Sequence, residues 1–421
     1  MPHPYRTGLE PTAVWVESFG PEPTEDDMPS PSQGQLSRRR FLAASAAAAG
    51  SAAAIARGEP AGEARPVSPA PEKTSDKPSD KPSDKTDGGR GPRMKIAEAL
   101  PALPGPLWRL VKQCGVDYAV GTSGARTRSG DAPGRGEPPW SRPALERVKR
   151  VYDEGGFKLA VIEWRPPLTR AKLGLPGRDE EIETVCELVR NMGALGIPVW
   201  CYEWMVLGVL RTSSTLPGRG GALVTGYDHA QMKDLGPSRY GEVKDEPLWA
   251  NLEYFLKRVL PVAEKAGVKL AMHPDDPPLS PIRGVARIMR SVESFQRLVD
   301  LVPSPSNGIT LCQGNFTLMT NDLPGVIREF GNQKKIFFVH FRDVRGTPEK
   351  YVETFHDEGK TDMVACMRAY RDVGFDGVCR PDHVPTMEGD SNDKPSYSTI
   401  GRLFAIGYIK GIEDAVYQEK R

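Results

Sequence analysis

Excess charge of either sign is the first thing this sequence lacks: 56 Lys and Arg stand against 55 Asp and Glu, a net charge of +1. Without a basic surplus there is no electrostatic case for nucleic acid as a partner, and the balance equally excludes an acidic tail protein. Long hydrophobic runs are missing too. No stretch of about 18 apolar residues occurs, which leaves no ordinary membrane-spanning helix. Histidine is scarce, with 6 in 421 residues, and apolar residues reach only 38%. Glycine (43) and proline (40) are plentiful by contrast, as in a folded domain diluted by chain with little to bury.

The dilution lies at the N-terminus. Residues 37–42 read Ser-Arg-Arg-Arg-Phe-Leu, followed by an uncharged Ala-rich run from Ala43 to Ala56. A twin arginine at 38–39 before a weakly apolar segment is the layout of a bacterial twin-arginine (Tat) export signal, with Ala54-Ile55-Ala56 as its small-x-small cleavage pattern. Residues 1–56 are therefore expected to be a signal region that engages the Tat machinery and directs the protein to the periplasm or outside. Over 57–93, tandem Ser-Asp-Lys-Pro units between Ser75 and Lys85 give recurring proline and alternating charge, the composition of a disordered linker.

From Met94 to the C-terminus short aliphatic runs alternate with amphipathic stretches. Strands are predicted at 94–97, 116–121, 159–164, 198–204, 269–274, 308–314, 336–344 and 377–383. Helices are predicted at 143–154, 179–195, 248–266, 321–330, 363–373 and 399–416. Near-continuous apolar strands separated by helices imply βαβ units and a parallel sheet, and eight of them imply an α/β fold of the (β/α)8 (TIM) barrel type. A doubly wound sheet is the alternative, disfavoured because no strand leads into a Gly-rich phosphate turn. The Gly-, Thr- and Ser-rich tract 206–245 is expected to be a long functional loop.

The later strands end in residues that are costly to bury and useful for chemistry: Glu163, Glu203, His273, Cys312, His340 with Arg342, and Asp382-His383. A barrel gathers the C-terminal ends of its strands on one face, so these side chains are expected to meet. Two imidazoles, a thiolate and a carboxylate suit a divalent ion, with His273, Cys312, His340 and Asp382 as the candidate ligands. Asp275 and Asp276 follow His273 and can orient imidazoles or contact substrate hydroxyls. Arg342 shares the facing of His340 and suits a substrate carboxylate, or an ion pair with a neighbouring acid. Cys114, Cys186, Cys201, Cys366 and Cys379 read as buried thiols. Gly359-Lys360-Thr361 lacks the earlier glycine of a phosphate loop.

Several blocks resemble, in order, the signature of the mannonate dehydratase family: Lys269 to Pro278 (KLAMHPDDPP), Asn307 to Cys312, Val339 to Val344, Phe355-His356, Thr361 to Met363 and Arg380 to His383, with Cys201 to Met205 and Arg211-Thr212 matching more loosely. The resemblance implies a barrel related to xylose isomerase-type sugar enzymes. It implies a lyase that dehydrates D-mannonate to 2-keto-3-deoxy-D-gluconate in hexuronate (glucuronate) catabolism, using Mn2+ or another divalent metal such as Fe2+ or Mg2+, and a chain that assembles as a homo-oligomer. It further implies that His273, Cys312, His340 and Asp382 bind the metal and that His383 transfers a proton, with Asp382 and Arg342 beside it. Glu163, Glu203, Asp275 and Arg342 are the candidate substrate contacts. The chain departs from the family pattern after Cys312, at the shortened stretch after His356, and at Val384. Two other readings stand beside this one: a metal-dependent sugar isomerase or epimerase in which Glu163 or Glu203 moves protons, and a catalytically silent sugar-acid binding protein.

Overall fold

A computed structural model describes residues 15–17 (backbone only), 92–122 and 137–419. Apart from those three and Pro92-Arg93, the expected signal region and linker lie outside the described residues. Eight parallel strands close into a barrel in chain order: β1 (Lys95–Leu100), β2 (Tyr118–Gly121), β3 (Lys158–Ile162), β4 (Val199–Glu203), β5 (Lys269–His273), β6 (Asn307–Cys312), β7 (Ile336–Phe341) and β8 (Val378–Pro381), which pairs back with β1. The strands are buried on both faces. Small residues such as Ala97, Ala160 and Ala271 fill the interior with Val161, Val199 and Phe338, where eight converging strands leave little room. A larger apolar layer lies between strands and helices, with Trp200, Phe255, Leu256, Phe295 and Phe330 at full burial.

The outer ring comprises α1 (Pro106–Gln113), α2 (Arg142–Glu154), α3 (Arg178–Ala194), α4 (Asp245–Ala266), α5 (Val292–Leu301), α6 (Leu323–Asn332), α7 (Met363–Asp372) and α8 (Thr399–Gln418). Several begin at side-chain caps: Ser141 accepts from the Ala144 N–H, Ser291 from Ser294, and Asp362 from Ala365. Six of these helices follow the apolar periodicity of the sequence. The other two, α1 and α5, 8 and 10 residues long, were not among the expected helices.

The tract 206–245 departs from the expected loop. It contains the strands Val209–Arg211, Ser213–Pro217 and Leu223–Asp228. The last two join Val344–Thr347 and Lys350–Glu353 in a four-stranded antiparallel rim sheet, ordered with Lys350–Glu353 between Val344–Thr347 and Leu223–Asp228. Gly346 stands in the strand Val344–Thr347 opposite Tyr351. Its φ is +129°, and a Cβ there would press on the Lys350 carbonyl. The strand Val209–Arg211 also pairs antiparallel with Trp15–Glu17. The expected strands at 308–314 and 336–344 are shorter than read. Backbone turns helical from Gln313 to Met319, and Val344 already belongs to the rim sheet. No helix among the described residues is long and apolar enough to cross a membrane. All six cysteines are free thiols.

Candidate active site at the barrel mouth

Register alone brings the chemistry together. Glu203 at the end of β4 stands opposite His273 at the end of β5. Cys312 on β6 stands opposite His340 on β7, and His340 opposite Arg380 on β8. The strand ends open onto a cleft whose lining includes His273, His340, Asp382, His383, Glu163 and Glu203.

His273, Cys312 and His340 present their ligand atoms within 4.8 Å of one another. Asp382 Oδ2 lies 3.6 Å from His340 Nδ1 and 3.8 Å from Cys312 Sγ. His273 Nδ1 donates to the Pro274 carbonyl at 2.7 Å, which turns its Nε2 lone pair toward the cluster. His340 Nε2 lies 2.9 Å from the Glu163 carboxylate. Burial holds both imidazoles below their ordinary pKa, that of His273 at about 4. His273 Nε2 and His340 Nδ1 approach to 3.2 Å beside the Asp382 carboxylate and the Cys312 thiol, and these N, S and O donors suit a divalent transition metal. Burial pushes the Cys312 thiol up to about 12, so metal binding at this site must release its proton.

Arg380 backs the group. Its Nε and Nη2 donate to both Glu163 oxygens at 2.9 and 2.8 Å, and Nη1 lies 2.9 Å from Asp382 Oδ1. Burial alone would raise Glu163, but Arg380 and His340 outweigh it and hold its pKa at about 2. Glu163, Cys201 and His340 also approach as a trio. Both Glu163 oxygens there already accept from Arg380, so this trio sets the Glu163 carboxylate beside His340 Nε2 as its electrostatic support.

A second network holds His383. Arg211 donates through Nη1 and Nη2 to Asp276 at 2.9 and 2.8 Å, and through Nη2 to Glu353 Oε1 at 2.8 Å. The two Nη2 hydrogens are thus accounted for, and His383 Nδ1, 3.0 Å from Glu353 Oε1, carries the proton it donates there. Its Nε2 faces Asp382 Oδ1 at 3.9 Å, on the cleft side. Despite burial, Arg342, His383 and Arg211 keep the Glu353 pKa at about 2.

Arg342 is engaged within the protein. Its fork donates to Glu353 at 2.8 and 2.6 Å, and Nη1 bonds Asp276 at 2.9 Å and Asn315 at 3.0 Å. A Cβ on Gly314 would press on this side chain, which explains the small residue there. Of the two alternatives the sequence left for Arg342, the ion pair is the one observed. Asp275 likewise turns from the cleft. It accepts from the Met289 N–H at 2.6 Å, and Arg287 lies 3.9 Å away, while Asp276 lines the cleft. Glu203 lines the opposite wall, bound by Lys172 Nζ at 3.0 Å and Arg165 Nη2 at 2.5 Å.

Sequence reading missed Arg380, Glu353, Lys172 and Arg165. Arg380 carried a usable signal, since it lies two residues before Asp382 on a strand whose alternate side chains share a face. Glu353 and Lys172 reach the site from outside the barrel strands and carried none.

Fold and cleft together define a (β/α)8-barrel enzyme with its chemistry at the carboxyl ends of the strands. The sequence profile described as D-mannonate dehydratase (UxuA) matches residues 108–240 and 236–421. The mannonate dehydratase of Thermotoga neapolitana is 35% identical over 317 residues, spanning 67% of this chain and 88% of that protein. Mannonate dehydratase 2 of Halalkalibacterium halodurans is 34% identical over 306 residues, spanning 66% and 88%. The crystal structure of mannonate dehydratase from Streptococcus suis serotype 2 superposes with a TM-score of 0.69 at 31% identity, covering 79% of this chain and 98% of that one. The chain belongs to the mannonate dehydratase family and is a hydro-lyase.

Proposed function

We propose that this enzyme removes water from D-mannonate to give 2-keto-3-deoxy-D-gluconate, with His273, Cys312, His340 and Asp382 holding a divalent ion such as Mn2+. The observation that carries this reading is the convergence of the His273 and His340 ring nitrogens with Cys312 and Asp382, next to His383 in one cleft. A bound ion at that place supplies Lewis-acid stabilisation of the negative charge that develops next to the substrate carboxylate.

The chain's own residues do the rest. His383, held by Glu353 through Nδ1, takes the C2 proton at Nε2, and the Glu353 carboxylate stabilises the imidazolium that results. The hydroxyl leaving C3 departs as water with that proton returned from His383. The enol so formed tautomerises to the 2-keto-3-deoxy acid. Hydrogen from C2 and hydroxyl from C3 account for the water. Glu163 and Arg380 fix His340, and Arg342 fixes Asp276 and Glu353, so both act by positioning.

The test is the full chain loaded with Mn2+, offered a panel of hexonates and hexuronates and assayed for 2-keto-3-deoxy acids. Product from D-mannonate that disappears in His383→Asn is the expected result. A stoichiometrically loaded protein giving no keto-deoxy acid from any substrate would overturn the reading. The twin arginine at 38–39 supports Tat-dependent export to the periplasm or outside, where the enzyme would degrade hexuronate-derived acids. Cell fractionation of a form with Lys at both positions checks this, with retention in the cytoplasm expected. Homo-oligomeric assembly belongs to the same reading and is checked by light scattering.

A further inference from the structure

Three buried tryptophans of this barrel give their indole N–H to a backbone carbonyl. Trp108 Nε1 donates to Pro101 at 3.2 Å, Trp200 Nε1 to Trp164 at 2.9 Å and Trp204 Nε1 to Leu248 at 3.2 Å. Trp164 itself is the exception. It is 5% exposed, its Nε1 is buried, and no described residue accepts the proton. An indole N–H only donates, so nothing but an acceptor atom satisfies it, and a buried donor left without one costs free energy.

The residue that carries this donor lines the cleft, one position after Glu163. Its backbone is held in place. The Trp164 carbonyl accepts from Trp200 on β4, and Pro166-Pro167 stiffen the chain that follows. The place in the barrel limits what the N–H meets. The candidate ligands come from β5 to β8 and His383 follows β8, whereas Trp164 stands past the end of β3. A sugar acid that offers its carboxylate end to the ligand cluster and C2 and C3 to His383 leaves C4 to C6 for the remaining wall. Each of those carbons bears a hydroxyl, whose oxygen accepts a hydrogen bond.

We propose that Trp164 Nε1 donates to a hydroxyl on the C4–C6 segment of the substrate and thereby selects sugar acids that carry a hydroxyl at that position. The inference rests on the sugar-acid reading above and adds a contact that the strand-end pattern did not suggest. A donor waiting in a buried wall discriminates strongly, because a substrate without the matching oxygen leaves it unpaired.

The experiment measures binding by calorimetry in the full chain with His383→Asn, loaded with Mn2+. D-mannonate and its 4-deoxy, 5-deoxy and 6-deoxy forms are the probes. This background is expected to bind one of the three deoxy acids about 10-fold more weakly than D-mannonate, the usual effect of one buried hydrogen bond. Adding Trp164→Phe keeps an aromatic ring and removes the donor. It should weaken D-mannonate about 10-fold and leave that same deoxy acid unchanged, so the discrimination disappears. Trp164→His, which puts back a ring N–H, should recover part of the loss. With His383 intact, Trp164→Phe should raise KM far more than it lowers kcat. If Trp164→Phe does not fold, Trp164→Met carries the same test.

A background protein that binds all three deoxy acids as tightly as D-mannonate overturns the proposal without any variant at Trp164. Unchanged D-mannonate affinity in Trp164→Phe overturns it too, as does an equal loss for D-mannonate and every deoxy acid, which marks a packing effect. A protein that does not bind D-mannonate at all overturns the sugar-acid reading and this inference with it. Binding of D-mannonate that depends on Trp164, without any keto-deoxy product from the enzyme with His383, would sink the dehydratase reading alone and leave Trp164 supported.

Discussion

Glu353 shows how much one carboxylate outside the barrel can decide. It accepts a hydrogen bond from His383 Nδ1–H and at the same time bonds Arg211 and Arg342, so ring orientation, tautomer and two buried guanidinium groups depend on it. In Glu353→Gln the shape is kept and the charge is lost. The imidazolium formed during turnover then has no counter-charge at Nδ1. Removing the orienting acid of a histidine base lowers turnover steeply, so kcat should fall by about 100-fold or more while KM moves little. Steady-state kinetics check this, with Glu353→Asp expected to restore part of kcat. An unchanged kcat in a folded Gln variant would falsify the role. The same logic explains why Asp275 and Asp276, adjacent in sequence, differ in use. One caps the Met289 backbone and the other meets Arg211, Arg342 and the Tyr351 hydroxyl. Nothing in a string of two aspartates tells which faces the cleft.

At the scale of elements, the eight barrel strands were legible because parallel strands buried on both faces read as unbroken apolar runs, and the site was legible wherever a polar residue ended such a run. His273, Cys312, His340 and Asp382 fall in that class. The rim sheet was not legible: Ser-Ser-Thr-Leu-Pro and Leu-Val-Thr-Gly-Tyr-Asp carry neither a long apolar run nor a clear alternation, and their pairing with Lys350–Glu353 is set by tertiary contact. Helix α8 was read correctly but hides a titratable group. Glu413 is 7% exposed and its Oε1 has no hydrogen-bond partner. Burial pushes its pKa up from 4.5 to about 7, with Arg93 pulling the other way. An acid raised in the folded state favours folding in its protonated form, so its burden is absent below pH 4.5, grows as the unfolded chain ionises, and is complete above about 7. Glu413→Gln should therefore match the parent in stability at pH 4 and exceed it by about 1–3 kcal/mol at pH 8. Denaturant unfolding at both pH values measures the difference. A Gln variant equally more stable at pH 4 would show that packing, not ionisation, is responsible.

Across the whole molecule, the candidate ligands come from the carboxyl ends of four consecutive strands, β5 to β8, with Asp382 one residue past β8, and meet only because the barrel closes. That junction brings together two imidazoles, a carboxylate and a thiol held protonated by burial. The native fold maintains this arrangement through Glu163, Arg380 and Arg342, whereas the unfolded chain has no comparable site. An ion that binds the folded form alone must therefore stabilise the entire barrel, by about 2.7 kcal/mol when present at 100 times its Kd. Dialysis against a chelator is expected to lower the thermal midpoint by several degrees, and added Mn2+ should restore it, with no turnover needed for the readout. His273→Ala should remove the response to both treatments and place the midpoint near that of the chelated parent. The variant should fall below the chelated parent by no more than the cavity it leaves. A parent whose midpoint is indifferent to chelator and to Mn2+, after metal analysis has confirmed an ion-free start, would mean that the four residues hold no ion.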